Sequence, residues 1–223
     1  MSQTGTEKLA KGPDQEKGPI LNVPNQLTIA RLLLSIVFFI LLALERNRDF
    51  AASTHSVVLN IATVVFILAV TTDFLDGYLA RRWGLVSTFG RIADPFVDKI
   101  VICGGFIMLI GVAPTLVHPW FAVVILFREF LVSALRSFLE SRGIPFSATL
   151  SGKLKMLLQS VTIPGVLLYE ANFSPRSMSS LRDVPHLPQI FHYFTIGLLA
   201  VTLVATLSSC VGYLRRAVRL LRD

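Results

Sequence analysis

The sequence predicts an all-α integral membrane protein with six transmembrane helices. Hydrophobic residues make up 53% of its 223 residues and charged residues only 16%, whereas about a quarter of the residues of a soluble domain are charged. The mean hydropathy is +0.65. The apolar residues fall into six long blocks, each about long enough to cross ~30 Å of hydrocarbon as a helix, and no β-type alternation competes with this interpretation.

Short polar links separate the six blocks. In chain order, the predicted spans are residues 26–44, 56–80, 92–115, 118–139, 153–171 and 189–214. The Gly111–Pro119 stretch forms the whole junction of the third and fourth spans, so these two should form a tight hairpin. The expected organisation is a disordered cytoplasmic tail (1–19), a six-helix membrane domain (20–216) and a basic cytoplasmic tail (217–223).

The net charge of +7 is best explained by orientation in a membrane. A nucleic-acid-binding protein would cluster Lys and Arg with aromatic residues on a soluble face. Here the basic residues flank apolar blocks instead, so we expect no nucleic-acid partner. Cytoplasmic loops of membrane proteins carry an excess of Lys and Arg, which interact with anionic membrane lipids.

The distribution of the basic residues predicts which side faces the cytoplasm. Thirteen lie on the side of the two termini: Lys8, Lys11, Lys17, Arg81, Arg82, Arg91, Arg142, Lys153, Lys155, Arg215, Arg216, Arg219 and Arg222. Four lie in the opposite loops: Arg46, Arg48, Arg176 and Arg182. We therefore expect both termini in the cytoplasm. The membrane is expected to be a bacterial inner membrane.

Four aspartates stand where buried charge is most costly. Asp73 and Asp76 are three residues apart at the cytoplasmic end of the second span, and Asp94 and Asp98 are four apart at the start of the third. Both spacings place the two side chains on one helix face. Because a short link makes the two helices antiparallel neighbours, all four carboxylates can converge.

Such a cluster requires positive counter-charge. Two Mg²⁺ (or Mn²⁺) ions would supply it, since these ions prefer oxygen ligands and keep open positions for substrate phosphates. Gly77, Ala80 and Gly90 leave room for a ligand beside the carboxylates, and Arg81 can pair with a phosphate or with one of the carboxylates. The alternative is a structural role, in which the aspartates join helices or relay protons and the small residues serve packing.

These residues resemble a known family signature. The pattern D-x2-D-G-x2-A-R-x8-G-x3-D-x3-D is satisfied without a gap from Asp73 to Asp98, and it resembles the signature of the CDP-alcohol phosphatidyltransferases. The resemblance implies a six-helix membrane enzyme, commonly a homodimer, with its active site facing the cytoplasm. The domain 20–216 would then be the catalytic domain.

The resemblance also implies a role for each position. Asp73, Asp76 and Asp94 would bind metal, and Asp98 would complete the metal site and act as the general base. The activated hydroxyl of the acceptor would attack the β-phosphate of a CDP-linked lipid, and CMP would leave. The residues expected to contact the CDP-lipid are Gly77, Ala80, Arg81 and Gly90, together with Asn25 and Arg31.

Further stretches indicate the acceptor. Residues 22–35, 127–136 and 152–160 (NVPNQLTIARLLLS, FREFLVSALR and GKLKMLLQS) look like the phosphatidylglycerophosphate synthase branch, which implies CDP-diacylglycerol as donor and glycerol 3-phosphate as acceptor. A dianionic acceptor needs further cations. The sequence offers them near the cytoplasmic side of the fourth and fifth spans, as Arg128, Arg136, Lys153 and Lys155.

The sequence is also compatible with other roles for these residues. Arg128 could pair internally with Glu129, and Lys153 and Lys155 could be positive-inside anchors. A cardiolipin synthase of the same family would use phosphatidylglycerol as acceptor. A divalent-cation or proton transporter would need a continuous polar path, and the far halves of the second and third spans show none. A membrane prenyltransferase would need more helices and two separate aspartate-rich motifs.

Overall fold

The computed structural model describes residues 23–45, 52–83, 88–144, 150–177 and 179–222. Within these ranges, the side chains of residues 23–25, 52–53, 74–95 and 222 lie outside the description. The described residues form helices without any strand, so the predicted all-α class is confirmed.

Six long helices follow one another along the described chain. They are α1 (Val23–Glu45), α2 (Ala52–Trp83), α3 (Thr88–Val112), α4 (Pro119–Ser141), α5 (Leu150–Asn172) and α6 (Leu187–Arg222). A single 3-10 turn, Ser180–Asp183, precedes α6. Each helix overlaps one predicted span. The predicted domain limits at residues 19 and 216 stay predictions.

Among the described residues, three helical segments are apolar and long enough to cross a membrane by length and composition. The segments are Gln26–Glu45, Thr54–Asp73 and Leu187–Leu221. Large apolar side chains on their outer faces are exposed, as Leu33, Val64 and Val204 illustrate, which is the surface that lipid covers. The apolar helices therefore indicate an integral membrane protein.

An apolar core contains buried residues of all six helices. Phe38 of α1, Phe66 of α2 and Phe106 of α3 are fully buried, as is Ile163 of α5. The rings of Phe38 and Phe66 are 5.2 Å apart between centroids, within the range of favourable aromatic pairs. This core holds the six helices together below the end of the bundle that carries the aspartates.

Polar contacts fix the register of neighbouring helices. Arg31 contacts Asp73 near one end of the α1–α2 pair, and at the other end His55 Nδ1 lies 2.7 Å from Glu45 Oε1. Thr162 of α5 is hydrogen-bonded to a threonine of α6 at 2.6 Å. Hydrogen bonds of this kind join helices where lipid provides no hydrophobic driving force between them.

Candidate active site

Arg31 brings together the first three helices at the aspartate end of the bundle. Its guanidinium nitrogen Nη1 lies 2.5 Å from Oδ1 of Asp73 on α2. The same nitrogen donates a hydrogen bond to Oδ1 of Asp98 on α3. Asp73 and Asp98 belong to different predicted pairs, so the expected convergence of α2 and α3 is observed for these two carboxylates.

The burial of these three side chains differs. Arg31 is only 1% exposed, whereas Asp73 and Asp98 are 21% and 31% exposed. The cation therefore lies beneath two carboxylates that remain open to the surroundings. A single positive charge facing two negative charges leaves the group net negative, which favours further cations at this position.

The remaining members of the predicted donor and metal site lie outside the described side chains. Asp76, Gly77, Ala80 and Arg81 belong to α2, Gly90 and Asp94 to α3, and Asn25 to α1. Their predicted contacts stay predictions. Among the described side chains no group of three or more His, Cys, Asp or Glu residues could hold a metal ion, but Asp76 and Asp94 are not among them.

A cavity of about 270 Å³ opens beside Asp98 between α3, α4, α5 and α6. It brings together all four cations that the sequence predicted for the acceptor. Its lining consists of Asp98, Lys99, Ile102, Arg128, Glu129, Val132, Ser133, Arg136, Gly152, Lys153, Lys155, Met156, Gln159 and Tyr213. Five of these side chains are basic and two are acidic, so the wall carries an excess of positive charge.

Arg128 is held in the cavity wall from three directions. Its Nη2 donates a 2.7 Å hydrogen bond to Oγ of Ser209, and its Nη1 lies 3.3 Å from Oε1 of Glu129. The guanidinium carbon lies 5.5 Å from the ring centroid of Tyr213, within the range of a cation–π contact. The internal pairing with Glu129 considered from the sequence is thus present, and Arg128 nevertheless lines the cavity.

Lys155 shares the same carboxylate. Its Nζ is ion-paired with Oε1 of Glu129, and only 5% of its side chain is exposed. Lys155 is therefore a buried cation of the cavity wall, which does not fit a surface anchor. Lys153 is exposed and Arg136 is partly buried, so these two cations lie nearer to the surface.

Several residues of this site were not predicted. Ser209 and Tyr213 lie four apart on α6, and neither carries a charge that marks a site in the sequence. Gln159 also lines the cavity. It follows Lys155 by four residues, a spacing that places both on one face of α5, so this signal could have identified it.

Comparisons with known proteins identify one enzyme family. The sequence model of the CDP-alcohol phosphatidyltransferase family matches residues 21–210. Three similar proteins are each named CDP-diacylglycerol–glycerol-3-phosphate 3-phosphatidyltransferase. The one from Bacillus subtilis is 34% identical over 157 residues, covering 69% of this chain and 80% of the relative. The Rickettsia felis protein is 37% identical over 147 residues (66% and 75%), and the Mycoplasma pneumoniae protein is 37% identical over 150 residues (63% and 65%).

Proposed function

Since the chain belongs to the CDP-alcohol phosphatidyltransferase family, we propose that it transfers a phosphatidyl group from CDP-diacylglycerol to glycerol 3-phosphate. The products are phosphatidylglycerol phosphate and CMP. The observation that carries the proposal is the cavity in which Asp98 lies together with Arg128, Arg136, Lys153 and Lys155. The names of the similar proteins support the same donor and acceptor.

The cavity suits a small dianion. Its volume of about 270 Å³ is near the lower end of the ~300–1,000 Å³ that is usual for small-molecule sites. The excess of basic side chains in its wall matches the phosphate of glycerol 3-phosphate. Phosphatidylglycerol as acceptor would bring a single phosphodiester charge and two acyl chains, which need less positive charge and a wide lateral opening.

Asp98 is the group that receives the proton in this reaction. It lines the cavity at 31% exposure and is oriented by the buried Arg31. The acceptor hydroxyl gives its proton to the Asp98 carboxylate as its oxygen forms a bond to the β-phosphorus of CDP-diacylglycerol. The bond between that phosphorus and the bridging oxygen breaks, and CMP leaves with the electron pair.

Two Mg²⁺ (or Mn²⁺) ions belong to the proposal, with Asp73, Asp76, Asp94 and Asp98 as the ligands. The donor chemistry fits, since carboxylate oxygens are the preferred ligands of these ions. Oxygens of Asp73 and Asp98, from two helices, already meet at one cationic nitrogen. When bound, the ions neutralise the diphosphate and the departing CMP.

The CDP-lipid would lie against the first three helices. Its proposed contacts are Asn25, Arg31, Gly77, Ala80, Arg81 and Gly90. Arg31 has a second role in this arrangement, because it holds the carboxylates of Asp73 and Asp98 in place. It is therefore also a positioning residue for the metal ligand and the base.

The proposed topology has all six helices crossing a bacterial inner membrane, with both termini and the active site on the cytoplasmic side. Each of the six helices has 23 residues or more, and about 20 residues suffice to cross the hydrocarbon. The Lys and Arg bias supports this orientation. Assembly as a homodimer is part of the same proposal.

The proposal can be tested by measuring CMP release from CDP-diacylglycerol by the detergent-purified protein with Mg²⁺. The acceptors to compare are glycerol 3-phosphate, phosphatidylglycerol, inositol phosphate and serine. We expect CMP release to depend on glycerol 3-phosphate. Release that depended on phosphatidylglycerol instead would identify a cardiolipin synthase, and no release with any of the four would refute phosphatidyl transfer to them.

A further inference from the structure

Gln159 presents a buried amide that has no partner among the described residues. Its side chain is 0% exposed. Neither Oε1 nor Nε2 is hydrogen-bonded to any described group. Buried polar side chains are nearly always hydrogen-bonded, so an exception in a folded protein needs an explanation.

The surroundings of Gln159 indicate a ligand. The residue lines the same cavity as Asp98, Lys155 and Met156. Thr162, the next buried polar residue on α5, is 0% exposed as well, but it is hydrogen-bonded to Thr202 at 2.6 Å. On α5, Thr162 therefore has a hydrogen-bond partner on a neighbouring helix, whereas Gln159, which lines the cavity, has none among the described residues.

The chemistry of the amide selects the part of the acceptor that it can bind. A glutamine side chain has both a donor and an acceptor, as does a neutral hydroxyl group, whereas an ionised phosphate offers acceptors only. Cations such as Arg128 and Lys155 match the phosphate. The amide is thus complementary to a hydroxyl group. Because the reacting hydroxyl is assigned to Asp98, the amide is left for a hydroxyl that takes no part in the reaction.

We propose that Gln159 binds the C2 hydroxyl of glycerol 3-phosphate and so makes this hydroxyl a requirement for efficient transfer. The inference rests on the proposed function. The phosphate is then held by the basic side chains, the C1 hydroxyl lies at Asp98, and the C2 hydroxyl between them is bound by the amide. Gln159 is a specificity residue in this arrangement and takes part in no proton transfer.

The experiment compares two acceptors, glycerol 3-phosphate and 3-hydroxypropyl phosphate, which has the same phosphate and primary hydroxyl but lacks the C2 hydroxyl. We expect the wild-type kcat/KM for glycerol 3-phosphate to exceed that for the deoxy acceptor about tenfold to hundredfold. In Gln159→Met, which keeps the length of the side chain, the ratio should fall to about three or less. Gln159→Leu gives a second variant if the first does not fold.

The matched control is Thr162→Val. Thr162 lies on the same helix and is equally buried, but it is outside the cavity lining. The ratio of kcat/KM for the two acceptors should therefore stay at the wild-type value. The melting temperature of Gln159→Met should be unchanged or raised, because an apolar group replaces an unpaired amide.

Three results would overturn the inference. Equal losses with both acceptors in Gln159→Met, or a marked fall in its melting temperature, would mean that the amide serves the fold. A wild-type enzyme that used both acceptors equally well would also refute it. If the wild-type protein released no CMP with any acceptor, the proposed function itself would be wrong, and the assigned role of Gln159 would fall with it.

Discussion

Replacement of Arg128 tests the acceptor site most directly. In Arg128→Ala, the cavity loses a cation that is only 6% exposed. A hydrogen bond to a charged group contributes about 1.5–3 kcal/mol, and each 1.4 kcal/mol corresponds to about a factor of ten. We therefore expect kcat/KM for glycerol 3-phosphate to fall about 10- to 150-fold, while the KM for CDP-diacylglycerol stays within about twofold.

The fold should tolerate this change for a specific reason. The partner of Arg128, Glu129, keeps its ion pair with Lys155, so no buried carboxylate is left without a counter-charge. The losses are the 3.3 Å contact with Glu129, the 2.7 Å bond to Ser209 and the contact with the Tyr213 ring. Arg128→Lys keeps the charge without the planar fork, and we expect an intermediate activity.

The assay is CMP release, measured with varied glycerol 3-phosphate at saturating CDP-diacylglycerol and with varied CDP-diacylglycerol at saturating glycerol 3-phosphate. The matched control is Arg142→Ala. Arg142 is an exposed arginine at the end of the same helix, and it lies 4.6 Å from the ring centroid of Phe138, outside the cavity. In Arg142→Ala, kcat/KM for glycerol 3-phosphate should stay within about twofold of the wild-type value. An unchanged kcat/KM for glycerol 3-phosphate in a folded Arg128→Ala protein would refute the role of this cavity, as would an equal rise in the KM of both substrates.

Three further predictions concern the base, the metal and the fold. Asp98→Asn should lower kcat about 10²- to 10⁴-fold with little change in melting temperature, and a variant with wild-type kcat would exclude Asp98 as the base. EDTA should abolish CMP release and Mg²⁺ or Mn²⁺ should restore it; activity that survives thorough chelation would contradict the metal proposal. Thr162→Val should lower unfolding stability by about 0.5–1.5 kcal/mol through the lost bond to Thr202, measured by unfolding in detergent micelles, and an unchanged stability would show that this bond contributes nothing.

The fold was largely predictable because hydropathy and helix length are local properties. The six apolar blocks correspond to α1–α6, since a long apolar block can satisfy its own backbone hydrogen bonds by forming a helix. The positions of basic residues along each helix are local properties as well, and they were informative for the acceptor site. Lys153, Lys155 and the two arginines were predicted to serve one ligand, and they line one cavity.

Contacts between helices were not predictable in the same way. The hydrogen bond from Arg31 to Asp98 joins residues 67 apart in the chain, and its existence depends on how α1 packs against α3. The sequence suggested a pairing of Arg128 with Glu129, but the sharing of Glu129 with Lys155, 26 residues away, depends on the packing of α5. Ser209 carries no charge, so only the position of α6 identifies it as a partner of Arg128.

Glu129 explains how a cationic cavity can exist within a membrane domain. Arg128 and Lys155 are both buried, and two like charges at such positions would repel each other strongly without a counter-ion. One shared carboxylate reduces the charge of the three groups to a net single positive charge. Because this net charge stays positive, the group still attracts an incoming phosphate. A second carboxylate would stabilise the pair of cations further but would remove that attraction, so a single shared acid reconciles folding with anion binding.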